Sequence, residues 1–247
     1  MIYIVITPRN LKDIVIQELK SRKIAITNNQ YRKLFINYPG DPNNLNGLRA
    51  PDDILVFLAS FKDKQHYNGS LTNICNELRK INFSNAISMC KKVRLLTEEA
   101  TFSVTASIIG KRKFTQHFLK KTIAKLFSNK LKFKESGKPD LDLNLIIENE
   151  NISVGIRLFR EPLHKRDYKK HSMPASLKPN IAYCMLKLAN LDKNNLVLDP
   201  MCGVGTIPIE ASFIGISAMG VDINSKAIKL AKKNAKKAKK DVTFEEG

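Results

Sequence analysis

The residues best equipped for chemistry sit together in Leu196-Val-Leu-Asp-Pro-Met-Cys-Gly-Val-Gly-Thr-Ile-Pro-Ile-Glu210. A short apolar strand ends in Asp199, runs into Gly203-Val204-Gly205, and gives way to a helix from Thr206. Glycines at such a turn let backbone approach a ligand closely, and the helix start offers unpaired N–H groups. Met219-Gly-Val-Asp222 places a second acid at the end of the next strand, suited to two hydroxyls of a ribose. A phosphate loop would need Lys followed by Ser or Thr after its second glycine, and no such pair follows Gly205. The dinucleotide fingerprint wants a third glycine or alanine where Pro208 stands. Asp199 favours a cationic group, which a pyrophosphate site would not welcome. The remaining nucleoside is S-adenosylmethionine, with its cationic methionine end. A lone G-x-G is usually a packing turn; acid, loop, helix, strand and acid in one unit is a stronger signal.

These residues need a sheet to hold them. Leu177–Leu191, Thr206–Ile214 and Ser225–Lys240 read as helices, alternating with short apolar strands at Leu196–Asp199, Met219–Asp222 and from Val242. That alternation predicts a parallel, doubly wound sheet. The preceding residues are α+β. Strands are expected at Tyr3–Thr7, Ile24–Thr27, Leu34–Tyr38, Ile54–Phe61, Thr101–Ile109, Leu141–Glu148 and Ile152–Phe159, the last two joined as a hairpin around Asn149–Asn151. Asn10 is expected to cap a first helix with Leu11, Ile14, Val15 and Leu19 on its apolar face. Helices are also expected at Leu71–Ile81, Ala86–Leu96 and Phe114–Phe127, the last with Phe114, Phe118, Leu119, Ile123 and Leu126 on one side. The Pro/Gly-rich stretch 38–51 marks a boundary, and 160–172 a charged linker.

The 247 residues carry a net charge of +19, which attracts phosphate. No apolar run is long enough to span a bilayer, so nucleic acid is a better partner than a membrane. Four cysteines without C-x-x-C spacing and four histidines without an i, i+4 pair exclude a zinc site or a disulfide framework, and point to a cytoplasmic setting. From Lys111 to Lys134 there are nine Lys/Arg and no acid. Lys111, Arg112, Lys113, Lys120 and Lys121 are the candidate phosphate contacts there. Arg157, Arg160, Lys165, Arg166, Lys169 and Lys170 continue that surface through the linker. The lysines of the 225–240 helix flank an alanine stripe at 227, 231, 235 and 238, and read as a solvated face.

The run Asp199-Pro-Met-Cys-Gly-Val-Gly-Thr206, with Ile209-Glu210 and Asp222, closely resembles the THUMP-domain RNA guanine-N2 methyltransferases. His171-Ser-Met-Pro-Ala-Ser-Leu177 is similar to the motif that precedes the cofactor loop in that family. Leu163–Tyr168 is similar to its Leu-x-x-Arg-x-Tyr linker, and Phe102–Lys113, Pro139–Leu143 and Val154–Phe159 to its THUMP core. The resemblance implies a ferredoxin-like domain at 1–52, THUMP at 53–159, a linker at 160–173 and the N-terminal part of a Rossmann-like class I methyltransferase domain at 174–247. It implies S-adenosyl-L-methionine bound by Asp199, Pro200, Met201, Cys202, Gly203, Gly205 and Thr206. Asp222 and the Ile223 backbone would hold the ribose, with Pro174, Ala175 and Leu177 over the methionine end. It further implies a tRNA substrate, modified at a guanine near the acceptor stem such as position 6.

The family's sheet has seven strands, and its catalytic Asn/Asp-Pro-Pro-aromatic motif follows the fourth. Only three strands are expected after residue 174, and no such tetrapeptide occurs. The motif is therefore expected beyond Gly247, in a longer enzyme of which this chain is part. By itself the chain is expected to be inactive, with no catalytic residue of its own to assign. The alternatives are an RNA-binding module with a vestigial nucleotide fold, a guanine-N2 enzyme acting at another tRNA position such as 10 or on rRNA, and a nicotinamide enzyme.

Overall fold

A computed structural model describes residues 1–63, 70–97, 99–131 and 133–247. His66 and Lys132, and the side chains of Lys130 and Leu131, lie outside that description. The described residues form two compact units. One comprises residues 1–6, 24–46 and 54–160, the other residues 7–23, 47–53 and 161–247.

The first unit is built on a mixed sheet. Its strands are β1 (Ile2–Ile6), β2 (Ala25–Gln30), β3 (Lys33–Asn37), β4 (Asp53–Lys62), β5 (Thr101–Ile109), β6 (Lys134–Glu135), β7 (Leu141–Glu148) and β8 (Asn151–Arg157). Their spatial order is β2-β3-β1-β4-β8-β7-β5-β6. β7 and β8 form the expected hairpin, Glu148 opposite Asn151, with Asn149 in the left-handed region at φ 52. Asparagine tolerates that conformation better than most residues, because its short amide bonds locally. Along β5 the alternation holds: Phe102, Val104 and Ala106 are buried. Helices α2 (Ser70–Lys80), α3 (Ser84–Val93) and α4 (Gln116–Leu131) belong to the same unit.

Two local expectations need correction. α4 starts at Gln116, with the Thr115 hydroxyl accepting from Phe118 N at 3.1 Å. Phe114 therefore precedes the helix, and Phe118 is 53% exposed while Leu119, Ile123, Ala124 and Phe127 are buried. Asn10 does not cap the first helix, α1 (Lys12–Ser21). It adopts φ 62, and Leu11 occupies the cap position with no side-chain bond. A left-handed residue cannot serve as the extended N-cap.

The second unit holds α1, α5 (Pro179–Leu188), β9 (Leu196–Asp199), α6 (Thr206–Phe213), β10 (Ser217–Asp222), α7 (Ser225–Ala238) and β11 (Thr243–Glu246). Its three strands are parallel in the order β11-β10-β9. Each crossover is a helix, as parallel pairing requires. Pro179 opens α5 at a position that needs no N–H. Asn224 caps α7 by accepting from the N–H groups of Lys226 and Ala227. Ala231 and Ala235 pack with Cys202, Ile209, Ile228, Tyr168 and Phe244, Ala238 lies against them and Ala227 is buried, so the alanine stripe of α7 is its core face. β9 is an edge strand, with Leu196 and Leu198 exposed. Among the described residues no helix is long and apolar enough to cross a membrane.

Candidate functional site

β9 and β10 run parallel with Gly220 opposite Asp199, so their terminal acids emerge at one end of the sheet. The chain leaves β9 through a tight loop in which Gly203 has φ 54 and Gly205 φ 81. A cavity of about 460 Å³ opens over this loop. Nine of the twelve residues singled out as cofactor contacts line it: Pro174, Ala175, Leu177, Asp199, Met201, Cys202, Gly203, Thr206 and Asp222. Pro200, Gly205 and Ile223 do not; Gly205 is buried and Ile223 is 85% exposed. The sequence reading missed Met173, Ser176, Val204, Ile207, Asn224 and Ala227 as lining residues. Gly247 is not among the lining residues either. It follows β11 alongside β10, and its N–H donates to the Asp222 carbonyl at 3.4 Å, so strand pairing turns its backbone to the sheet.

The loop is tied to the second acid. Gly203 N–H donates to Asp222 Oδ2 at 2.7 Å, Asn224 N–H donates to Oδ1 at 2.9 Å, and Cys202 N–H donates to the Val221 carbonyl at 2.9 Å. Each Asp222 carboxylate oxygen keeps one lone pair free, enough for a pair of ligand hydroxyls. Asp199 is fixed by the Met201 N–H at 3.2 Å; burial, then the Asp222 charge, raises its pKa above the ordinary carboxylate range. Burial, followed by these two acids, pushes the Cys202 thiol up to about 12, so it stays protonated at neutral pH. The cavity is thus acidic, and a cation entering it would relieve that repulsion.

Its opposite wall is the turn 173–176. The Ser176 hydroxyl accepts from Met173 N and donates to the Met173 carbonyl, and Ala175 is held at φ 60. Asn234 of α7, fully buried, bonds both this segment and the loop. Its Nδ2 donates to the carbonyls of His171 at 3.0 Å and Val204 at 3.1 Å, and its Oδ1 accepts from His171 N. One polar residue among lysines and alanines was the signal available for it.

Behind the loop, the carboxylate of Glu210 on α6 is fully buried. Its Oε2 accepts from Arg49 Nε at 2.9 Å and Nη2 at 2.5 Å, its Oε1 accepts from the Tyr168 hydroxyl at 2.8 Å, and Arg166 Nε lies 3.8 Å away. Arg49 also lies over the Phe213 ring, 4.0 Å from its centroid. Glu18 of α1 accepts from the Arg49 and Ala50 N–H groups, each at 2.8 Å. Leu163, Arg166 and Tyr168, read as a linker signature, are therefore the linker's part of a buried brace.

The basic candidates differ in burial and in their partners. Arg166 donates to the carbonyls of Leu163, Leu48 and Arg49 besides facing Glu210. Arg157 pairs with Asp142 at 2.5 Å, and Arg112 lies 3.5 Å from Asp63 and bonds the Asn149 carbonyl. These three guanidinium groups hold the fold. Lys111, Lys113, Lys121, Arg160, Lys165 and Lys170 are exposed, Arg160 lying 4.0 Å from Asp140 and Lys165 paired with Glu161 at 2.8 Å, and Lys120 is half-buried. Lys169 differs: it donates to the Leu177 carbonyl, and burial lowers its ammonium to about 8 against an ordinary 10.5. At pH 8 it carries on the order of a hundredfold more free amine than an unperturbed lysine. A limiting dose of an acylating reagent at that pH should modify Lys169 ahead of the exposed lysines, read by peptide mass spectrometry. Modification no faster than at Lys170 would refute the shift.

Residues 166–246 match the family described as UPF0020: RMKL-like, methyltransferase domain. A tRNA (guanine(6)-N(2))-methyltransferase THUMP3 of Bos taurus is 40% identical over 73 residues, 30% of this chain and 14% of that protein. A ribosomal RNA large subunit methyltransferase K/L of Magnetococcus marinus is 41% identical over 81 residues, 31% of this chain and 11% of that protein. The chain thus spans a small fraction of the relatives it matches. The solved structure of SMU.472, complexed with SAH, superposes with a TM-score of 0.74 at 16% identity, covering 100% of this chain and 75% of that one. That likeness shows the fold: an α/β methyltransferase-type sheet joined to a mixed-sheet part.

Proposed function

We propose that this chain carries the cofactor-binding and RNA-gripping parts of an S-adenosylmethionine-dependent RNA methyltransferase acting on the N2 amine of a guanosine. The observation that carries the reading is the pairing of Asp199 and Asp222 at adjacent strand ends around one acidic cavity, beside a glycine loop at a helix start. The residues fit the cofactor. A Cβ added to Gly203 would meet no protein atom within 4 Å, so the backbone there leaves open space for a close ligand. Asp222 would accept the ribose hydroxyls, Asp199 would face the cationic methionine end, and Pro174, Ala175 and Leu177 would cover it. When bound, the cofactor supplies a methyl group activated by its sulfonium. The protein's part is then to orient, to exclude water and to aim the amine, since positioning and electrostatics dominate such transfers.

Transfer RNA is the favoured substrate, near the acceptor stem as at position 6, with residues 1–52 as a ferredoxin-like domain, 53–159 as THUMP and 160–173 as linker. The support is the relative named for tRNA guanine-6 together with the motifs of residues 163–222. The exposed Lys111, Lys113, Lys121 and Arg160 would meet phosphates, which position an RNA without reading its sequence. Four free, buried cysteines fit a cytoplasmic setting. Ribosomal RNA is the second reading, because the K/L relative is as similar over a stretch of similar length.

Calorimetry with S-adenosylmethionine and with NAD tests the cofactor directly. Binding of the first and not the second is expected, with at least a tenfold loss, about 1.4 kcal/mol, in Asp222→Ala and in Asp199→Ala. NAD binding in its place, or undiminished affinity in both variants, would overturn the reading.

A further inference from the structure

A second cavity, of about 560 Å³, adjoins the acidic one and shares Met173, Ala175 and Ser176 of the 173–176 turn with it. Its lining is of opposite character. Lys165, Arg166, Lys169, Lys170 and Lys178 face it, against Glu161 and Asp167. Lys165 is engaged by Glu161 at 2.8 Å and Arg166 by Glu210. That leaves Lys169, Lys170 and Lys178 against Asp167. Lys170 and Lys178 are exposed, and the half-buried Lys169 ammonium, bonded to one carbonyl, has two further N–H groups to give. The lining contains no Phe or Tyr on which a base could stack, so the cavity suits an anionic group better than a nucleobase. His164 adds no donor towards an anion. Its Nδ1 lies 3.1 Å from the Asp52 carbonyl and must carry the ring proton, and burial keeps the imidazole neutral at pH 7.

We infer that this cavity is a phosphate pocket, in which Lys169, Lys170 and Lys178 hold a phosphodiester of the RNA strand beside the nucleotide to be methylated. The inference rests on the RNA-methyltransferase reading and adds to it a place for the substrate backbone. The two cavities adjoin, sharing three residues of one four-residue turn: lysines predominate in one and the paired acids in the other. A phosphate gripped in the basic cavity puts the adjoining nucleotide beside the acidic one. Enzymes that act on a base must draw it out of the stack, and a fixed neighbouring phosphate supplies the fulcrum. The left-handed Ala175 and the closed Met173–Ser176 hydrogen bonds give that wall a defined shape.

The test uses the full chain carrying Lys170→Glu and Lys178→Glu together. Both side chains lie outside the acidic cavity, and Lys178 is the N-cap of α5, where a carboxylate suits the helix dipole. An unmodified tRNA transcript should bind at least tenfold more weakly, with the slope of log affinity against log salt reduced by about one, the contribution of a single phosphate. Affinity for S-adenosylmethionine and the melting temperature should not change. The same transcript should protect Lys169 from acylation in the parent chain at concentrations where inorganic phosphate does not. Unchanged RNA affinity and slope, with cofactor binding intact, would overturn the pocket and leave the methyltransferase reading standing. Equal protection by inorganic phosphate would make this a small-anion site and also overturn it. Absence of both cofactor and RNA binding in the parent chain would bring down both readings.

Discussion

Glu210→Ala is expected to destabilise the unit containing α6 by about 3–5 kcal/mol, the cost of removing one partner from a buried ion pair. The variant strands two arginines. Arg49 would lose both of its bonds to Oε2 and Arg166 its facing charge, each in a largely buried position. Tyr168 would lose the acceptor for its hydroxyl; burial and the Glu210 charge raise that phenol's pKa, so it stays a donor. Tyr168→Phe removes one hydrogen bond to a charged group and should cost only about 1.5–3 kcal/mol. Glu210→Gln keeps the shape and one acceptor, so it should fall between the two. Urea denaturation of the full chain reads all three. A loss below about 1 kcal/mol for Glu210→Ala would mean that the brace contributes little. The brace also positions the glycine loop, because α6 begins at Thr206 and Glu210 lies one turn further on. Cofactor affinity should therefore fall with stability in this series.

Gly205→Ala should be nearly as damaging, and for another reason. The residue has φ 81, where an L side chain costs about 1–2 kcal/mol. Its Cβ would stand 2.6 Å from Phe244 Cζ and 3.0 Å from Ala231 Cβ, inside the packed core of the unit. Overpacking of this kind adds about 1–3 kcal/mol. Gly203→Ala shares the left-handed strain, at φ 54, but its Cβ meets nothing within 4 Å. It should lose only the strain in stability while losing cofactor affinity, because the methyl group would occupy space at the cavity wall. Thermal melts paired with calorimetry separate the two glycines. Equal stability losses would show that the clash with Phe244 is relieved by movement of the ring.

Much of the site was legible because it is local. Asp199, the glycines and the start of α6 fall within eight residues, and strand, left-handed turn and helix N-terminus are each encoded by their own short stretch. Alternation in β5 and the β7–β8 hairpin were legible for the same reason. The helix starts were less so. Asn10 and Phe114 look suitable by residue type, but a backbone twist at Asn10 and the Thr115 hydroxyl moved the starts.

What the residues alone determined was the loop between two acids, the alternation of helix and strand, and an excess of positive charge. Tertiary structure decided which charges remain available. Arg112, Arg157 and Arg166 read as phosphate contacts in a linear chain, yet each is turned inward to an acid on another element or segment. Arg49 reaches Glu210 across 161 positions. The same holds for Asn234, whose amide joins segments 63 and 30 positions distant. Turns and helix starts follow from the conformational preferences of adjacent residues. Burial and pairing follow from which distant segments meet, and desolvation then dictates that each enclosed charge find a partner.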